Sequence, residues 1–299
     1  MTDPGDAVGL DGTTTAADPP DQSSCTEAEW RARIHLAALY RAIHLYGMSD
    51  LVNGAIAARV PDQPDHYLAH PYGMCWEEAT ASSFSTIAAD GTPVHDDRRW
   101  TNDGAVNLCR WIFGARPDIH FFIHGHEVPI AAVGSLECGL LWVNQPAVYL
   151  GHMLGYLDYR FDETEQFGAL FSDLAERHNL LISRNHGHYA FGRTAGESFF
   201  RSFYLRQACE IQINAMSTGS ELHLISDDEA GRFQEQMYAS PHYNYDGATE
   251  WPGLIRKLDR ECPGYDRWPT SAPAPTPTPT PTTISAGSPP GRRPRRPCA

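Results

Sequence analysis

The sequence predicts an α/β fold in three layers, with helices on both sides of a central sheet. Three observations carry this. The runs Ile119 to His124 and Leu180 to Ser183 are apolar at consecutive positions, as strands buried on both faces are. Helical apolar spacing brackets them, at Leu36, Leu39, Tyr40 and Ile43 and again from Gly196 to Met216. Helices and strands alternate along the chain, which is the pattern of a sheet covered on both faces.

The chain of 299 residues has a body bounded by two segments of different composition. Residues 1–24 are rich in Asp, Thr, Gly and Pro and are expected to be disordered. Thr26 and Glu29 stand three apart before an apolar-periodic run, a capping-box spacing that opens the first helix, and Gly47 closes it. Short strands are expected at Ala55 to Val60, Tyr67 to His70 and Phe84 to Ala88, with turns at Pro61-Asp62 and Asp90-Gly91. A helix from Gly104 to Phe113 leads into the first buried strand. The second ends in Arg184-Asn185-His186-Gly187-His188. From residue 269 a Pro/Thr repeat favours extended polyproline II, and it ends in Arg292, Arg293, Arg295 and Arg296, a solvated basic tail. One catalytic domain over residues 25–268 follows.

Composition excludes several classes. The 37 acidic side chains against 23 basic ones give a net charge of −14, and the body without its basic tail is more acidic still. Such a surface repels phosphate backbones, so no nucleic-acid partner is expected. No apolar run approaches the roughly 18 residues that span a bilayer, and the acidic N-terminus is unlike a secretory signal; a cytoplasmic protein is expected. The seven cysteines are scattered without C-x-x-C spacing, which argues against disulfides and thiolate zinc sites.

The chemistry lies in the histidines. His124 and His126 form H-x-H at the end of a buried strand, where alternation sends i and i+2 to one side. His186 and His188 repeat the spacing after the other strand. Together they can assemble a three- or four-nitrogen site for zinc, iron, copper or nickel. Arg59 and Arg184 are candidates to meet a substrate carboxylate, or are structural ion pairs. Trp76, Trp111 and Trp142 shape an apolar pocket or pack the core.

The stretch from Leu36 to Ala215 resembles the class II aldolase/adducin family. The matching pieces are Gly54 to Arg59, His70-Pro71-Tyr72-Gly73, Arg116-Pro117-Asp118, His124-Gly125-His126 and Asn185-His186-Gly187, in the family's order. The resemblance implies an α/β/α fold with a mixed or antiparallel central sheet and a divalent metal held by His124, His126 and His186. His188 has no counterpart among those ligands; it supports a ligand from behind, meets the substrate or is structural, and structure is the favoured reading. The phosphate-binding positions of the sugar-phosphate aldolases read Gly54-Ala55-Ile56-Ala57, Pro71-Tyr72-Gly73 and Asp103-Gly104-Ala105 here, and the catalytic Glu falls on Ala105. A phosphosugar aldolase is therefore disfavoured, since alanine cannot move a proton. Tyr72, in place of a phosphate-side hydroxyl, lines an aromatic pocket or simply packs.

Within the family, Leu36 to Arg41 and Tyr46 to Leu51 resemble the non-haem iron oxygenases of aminocoumarin antibiotic pathways. That resemblance implies Fe(II) and dioxygen, and oxidative decarboxylation of an aromatic 2-oxo acid, a prenylated 4-hydroxyphenylpyruvate, through a mandelate to a prenylated 4-hydroxybenzoate. The alternative is a zinc- or manganese-dependent lyase, decarboxylase or epimerase acting on a small hydroxy acid. A third reading is an adducin-like interaction module with relic histidines. Relatives imply a homo-oligomer.

Overall fold

The computed structural model describes residues 25–94, 101–160, 164–240 and 246–267. The expected terminal segments, the basic tail included, lie outside them. Seven strands form one mixed sheet: β1 Ala55–Arg59, β2 His66–Ala69, β3 Ser85–Ala88, β4 Phe121–Gly125, β5 Leu154–Leu157, β6 Leu180–Ser183 and β7 Gly187–Gly192. Their order is β3-β2-β1-β4-β7-β6-β5, with β5 and β6 parallel and the other neighbours antiparallel. The helices described are α1 Glu27–Leu45, α2 Asp103–Ala115, α3 Val128–Gly134, α4 Gln145–Leu150, α5 Glu165–Arg177, α6 Ala195–Ser217, α7 Asp227–Ala239 and α8 Glu250–Glu261.

Strand alternation divides the core in two. Ile56 and Ala58 of β1, Ile123 of β4 and Ala190 of β7 face α1, α3, α6 and α8. Ala55, Ala57, Phe122, Leu181, Tyr189 and Phe191 face α2 and α5 on the other side. The three layers expected from the sequence are present. Each central strand is buried on both faces, so its apolar run lacks the alternation of a half-exposed strand. Among the described residues, no helix is long and apolar enough to cross a membrane.

The first helix begins at Thr26, whose hydroxyl accepts from the Glu29 amide at 3.1 Å. The other half of the expected capping box is replaced. The Glu29 carboxylate accepts from Arg33 Nε at 2.9 Å. Arg33 also donates to the Phe84 carbonyl at 2.9 Å and to Thr86 Oγ1 at 2.6 Å, so this buried pair ties α1 to the β3 edge. At the far end Gly47 takes φ +64°, the left-handed conformation glycine supplies at a helix terminus.

The start of α6 carries a second buried charge. Burial works against the Glu197 carboxylate, but hydrogen bonds from Arg193 and the charge of Arg201 outweigh it and hold the carboxyl below its ordinary value of 4.5. A depressed folded pKa contributes stability that is present above the unfolded value and is lost as pH falls through the folded one. The stability deficit of Glu197→Gln is therefore expected to be larger at pH 7 than at pH 3, as read from urea midpoints.

Candidate metal centre

Three imidazoles converge at the end of β4 on the α2/α5 face of the sheet. His124 is the penultimate residue of β4, His126 follows the strand, and His186 lies in the turn from β6 to β7. Because β7 pairs with β4, Gly125 standing opposite His188, that turn is delivered beside the end of β4. Two glycines permit the approach. A Cβ on Gly187 would lie 2.2 Å from the Gly125 carbonyl oxygen. Gly54, at φ +85°, lies where a Cβ would come 2.7 Å from the His124 carbonyl.

His126 Nε2 is 3.2 Å from His124 Nε2 and 3.1 Å from His186 Nε2. The other ring nitrogens settle the tautomers. His124 Nδ1 lies 2.9 Å from the His188 carbonyl oxygen, which only accepts, so Nδ1 carries the proton. His126 Nδ1 lies 3.1 Å from Asp50 Oδ2, a carboxylate that likewise accepts. Both Nε2 atoms therefore present lone pairs to one another, an arrangement that repels unless a cation sits between them. Zinc–nitrogen bonds of about 2.0–2.1 Å at the tetrahedral angle place ligand nitrogens about 3.3 Å apart, so the spacing fits a metal. Burial pushes the His124 imidazole well below its ordinary pKa, with His126 and His186 adding to the shift. His186 is lowered by burial and then by His126. Neutral imidazole is the ligand form.

Tyr189 stacks on His124, ring centroids 4.3 Å apart and planes 11° from parallel, which fixes the imidazole from its face. Asp50 fixes His126 from its edge. Such outer partners typically contribute about 10–100-fold in metal affinity. Asp50→Ala is accordingly expected to weaken zinc binding by about 10–100-fold, measured by chelator competition, with no matching loss of thermal stability.

A cavity of about 430 Å³ opens beside the three histidines. Its walls come from the start of β1 (Asn53, Gly54, Ala55), the first turns of α2 (Gly104, Ala105, Leu108, Trp111), Phe167 of α5, Ser183, Tyr189 and Arg160. No Asp or Glu lines it among the described residues. Ala105 is in the wall, where the family resemblance puts a catalytic Glu.

The other candidates fall elsewhere. Arg59 stands at the far end of β1, donating to the carbonyls of Pro64 at 2.7 Å and Phe113 at 2.6 Å; it closes strand and helix ends and has no free face for a carboxylate. Arg184 donates to the Leu136 carbonyl at 2.9 Å and lies over the Tyr156 ring, and it does not line the cavity. Tyr72 is not in the wall either; its hydroxyl donates to Asn53 Oδ1 at 3.2 Å and so steadies a residue that is. His188 points through the sheet to the opposite layer, because parity along β7 puts it with Ala190 and not with Tyr189. There its Nδ1 lies 3.0 Å from Glu127 Oε2 and its Nε2 2.8 Å from Ser202 Oγ. The two H-x-H motifs are thus not equivalent. Of the tryptophans, Trp111 lines the cavity, Trp76 is core against Tyr40, and Trp142 donates to Asp227.

Sequence reasoning missed Asp50, Asn53, Arg160 and Tyr189. Asp50 meets its histidine across 76 positions of chain, and no local pattern marks such a pair. Tyr189 was within reach, since strand parity puts it on the face opposite His188.

Residues 34–213 match the class II aldolase and adducin N-terminal domain family. The chain is 36% identical over 245 residues to a protein of Caulobacter vibrioides named for the class 2 aldolases, covering 80% of this chain and 93% of that protein. It is 32% identical over 262 residues to human gamma-adducin, which covers 80% of this chain but 36% of the adducin. The crystal structure of an aldolase II superfamily protein from Pseudomonas syringae superposes with a TM-score of 0.76 at 28% identity, over 83% of this chain and 99% of that one. With the fold, the three-histidine cluster and the matched span in agreement, the chain belongs to the class II aldolase/adducin family.

Proposed function

We propose that the chain is a divalent-metal enzyme of the lyase type, holding zinc on His124, His126 and His186 and acting on an unphosphorylated hydroxy or oxo acid. The observation that carries this is the pair of Nε2 lone pairs held 3.2 Å apart by the His188 carbonyl and the Asp50 carboxylate behind them. A bound metal supplies Lewis acidity, polarising an oxygen of the substrate. The chain holds the His124 and His126 imidazoles in the ligand tautomer and offers Asn53 and Ser183 as hydrogen-bonding groups in the cavity.

Among the described residues, no Asp or Glu lines the cavity to act as a base. A retro-aldol cleavage must first remove a hydroxyl proton, which Ala105 cannot do. Decarboxylation of a 3-oxo acid makes no such demand: the bond to the departing carbon dioxide leaves its electron pair on the carbon next to the keto group, and water returns a proton. The absence of a lining carboxylate among the described residues favours that branch. The aldolase names of its relatives support a lyase.

The Fe(II) oxygenase of aromatic 2-oxo acids is the second reading, favoured by the aromatic wall of Trp111 and Phe167. Three imidazoles accept iron or manganese as well as zinc. Metal analysis of protein purified without oxygen, followed by carbon dioxide release and oxygen uptake with 3-oxo acids and arylpyruvates, separates the two. The lyase reading expects stoichiometric zinc and turnover indifferent to oxygen. Iron, with oxygen consumed in step with carbon dioxide, selects the oxygenase. Absence of stoichiometric metal, with His124→Ala indistinguishable from wild type, leaves the adducin-like interaction module.

A further inference from the structure

We infer that the hydroxyls of Ser183 and Tyr189 form a pair of hydrogen-bond donors that grip the oxygen atoms of a chelating acid anion. The inference rests on the metal-centre reading above and adds the groups of this chain that hold the ligand's charge.

Both side chains line the cavity and both are almost fully buried, Ser183 at 3% exposure and Tyr189 at 4%. They stand on adjacent strands. Ser183 of β6 lies opposite Gly187, and Tyr189 follows two positions further along β7 opposite Leu181. Leu181 and Tyr189 face α2 and α5, and the period of two sends Ser183 to the same side. Neither hydroxyl has a hydrogen-bond partner among the described residues. Buried polar groups are ordinarily paired, and an unpaired one costs free energy. The partner must therefore come from whatever fills the cavity.

The rest of the wall does not supply it. Asn53 Oδ1 accepts from Tyr72 at 3.2 Å, and Asn102 Oδ1 accepts from the Gly104 amide at 2.8 Å. The facing wall of α2, with Ala105, Leu108 and Trp111, holds no acceptor side chain. The indole lies across α5 there because position 168 is glycine; a Cβ on Gly168 would come 2.3 Å from Trp111 Nε1. Tyr189 is also fixed before any ligand arrives. Its ring is stacked on His124, and Phe171 meets it edge to face with centroids 4.8 Å apart. A donor held in place needs no reorganisation when charge gathers on an oxygen beside it. In the decarboxylation of a 3-oxo acid that oxygen is the keto group, and the hydroxyls donate to it while keeping their protons.

The test is isothermal titration of the zinc-loaded full chain with oxalate, a planar anion that chelates through two oxygens. Tyr189→Phe, which keeps the ring and removes only the hydroxyl, is expected to weaken oxalate binding by about tenfold or more, the loss of one hydrogen bond to a charged group. Ser183→Ala is the second variant and is expected to weaken it likewise. Zinc content should match wild type in both. The urea midpoint of Tyr189→Phe should be no lower than that of wild type, because the hydroxyl it removes has no partner in the protein. A purely structural tyrosine would give the reverse, a lower midpoint with oxalate affinity intact. Oxalate affinity unchanged in either variant overturns the pairing, as does a zinc-loaded wild type that does not bind oxalate. A chain that takes up no zinc defeats the metal-centre reading and this inference with it, whereas stoichiometric zinc with oxalate affinity indifferent to both hydroxyls defeats this inference alone.

Discussion

His186→Ala is expected to lower zinc affinity by well over about 100-fold, more than the loss of an outer partner such as Asp50. The turn between β6 and β7 contributes nothing else to the cluster, so no neighbouring side chain replaces the lost nitrogen. Among the described residues, the group of side chains able to hold a metal consists of His124, His126 and His186. Zinc per chain after dialysis should fall from near one to near zero, and His124→Ala should behave the same way. The folded structure should survive the loss of His186, because that ring is only part-buried and lies in a turn. Unchanged metal content in His186→Ala would show that the three nitrogens are not the ligands.

His188→Ala should act in the opposite manner, leaving the metal and removing the stability. The His188 imidazole is fully buried between the sheet and α6, against a Glu127 carboxylate that is itself buried. Removing the imidazole deprives the Gly125 carbonyl, 3.2 Å from Nδ1, of its partner and takes a polar neighbour from the buried Glu127 carboxyl, a loss of about 1–3 kcal/mol. The Ser202 hydroxyl, 0% exposed, loses its partner as well. Urea denaturation should show this loss, and the double variant Glu127→Leu/His188→Leu should recover part of it, since it removes the buried carboxyl together with the imidazole. A loss below about 1 kcal/mol, the range of an exposed pair, would mean that Glu127 finds other compensation.

The contrast between these two histidines marks how far the sequence could be read. His186-Gly187-His188 looks like a repeat of His124-Gly125-His126, and spacing alone gives the two motifs equal standing. The resemblance to the family's Asn-His-Gly motif separated them by naming His186 as the ligand. The physical reason appears only in the sheet: Asn185, at φ +59°, turns the chain so that His186 falls in the bend. His188 is already in β7 and is committed by alternation to the far face. Arg59 and Arg184 show a different limit. A guanidinium in an apolar sequence suggests a bound anion, yet both donate to carbonyl groups in turns and near helix ends, which no local pattern records. Arg160, which does line the cavity, sits in an unremarkable Asp-Tyr-Arg stretch.

By itself the sequence determined the layers, and with the family resemblance it picked out the three histidines that the fold brings together. Its apolar runs and helical periods follow from burial, which acts on neighbours a few residues apart and is therefore written locally. Its three clustered histidines sit in short motifs whose order the family shares. Tertiary structure alone decided the tautomers, the cavity and the face of each side chain. Those depend on a carbonyl of β7 behind His124, a carboxylate 76 residues from His126, and a glycine of α5 beneath Trp111. Each is a contact between segments that only the folded sheet brings within reach.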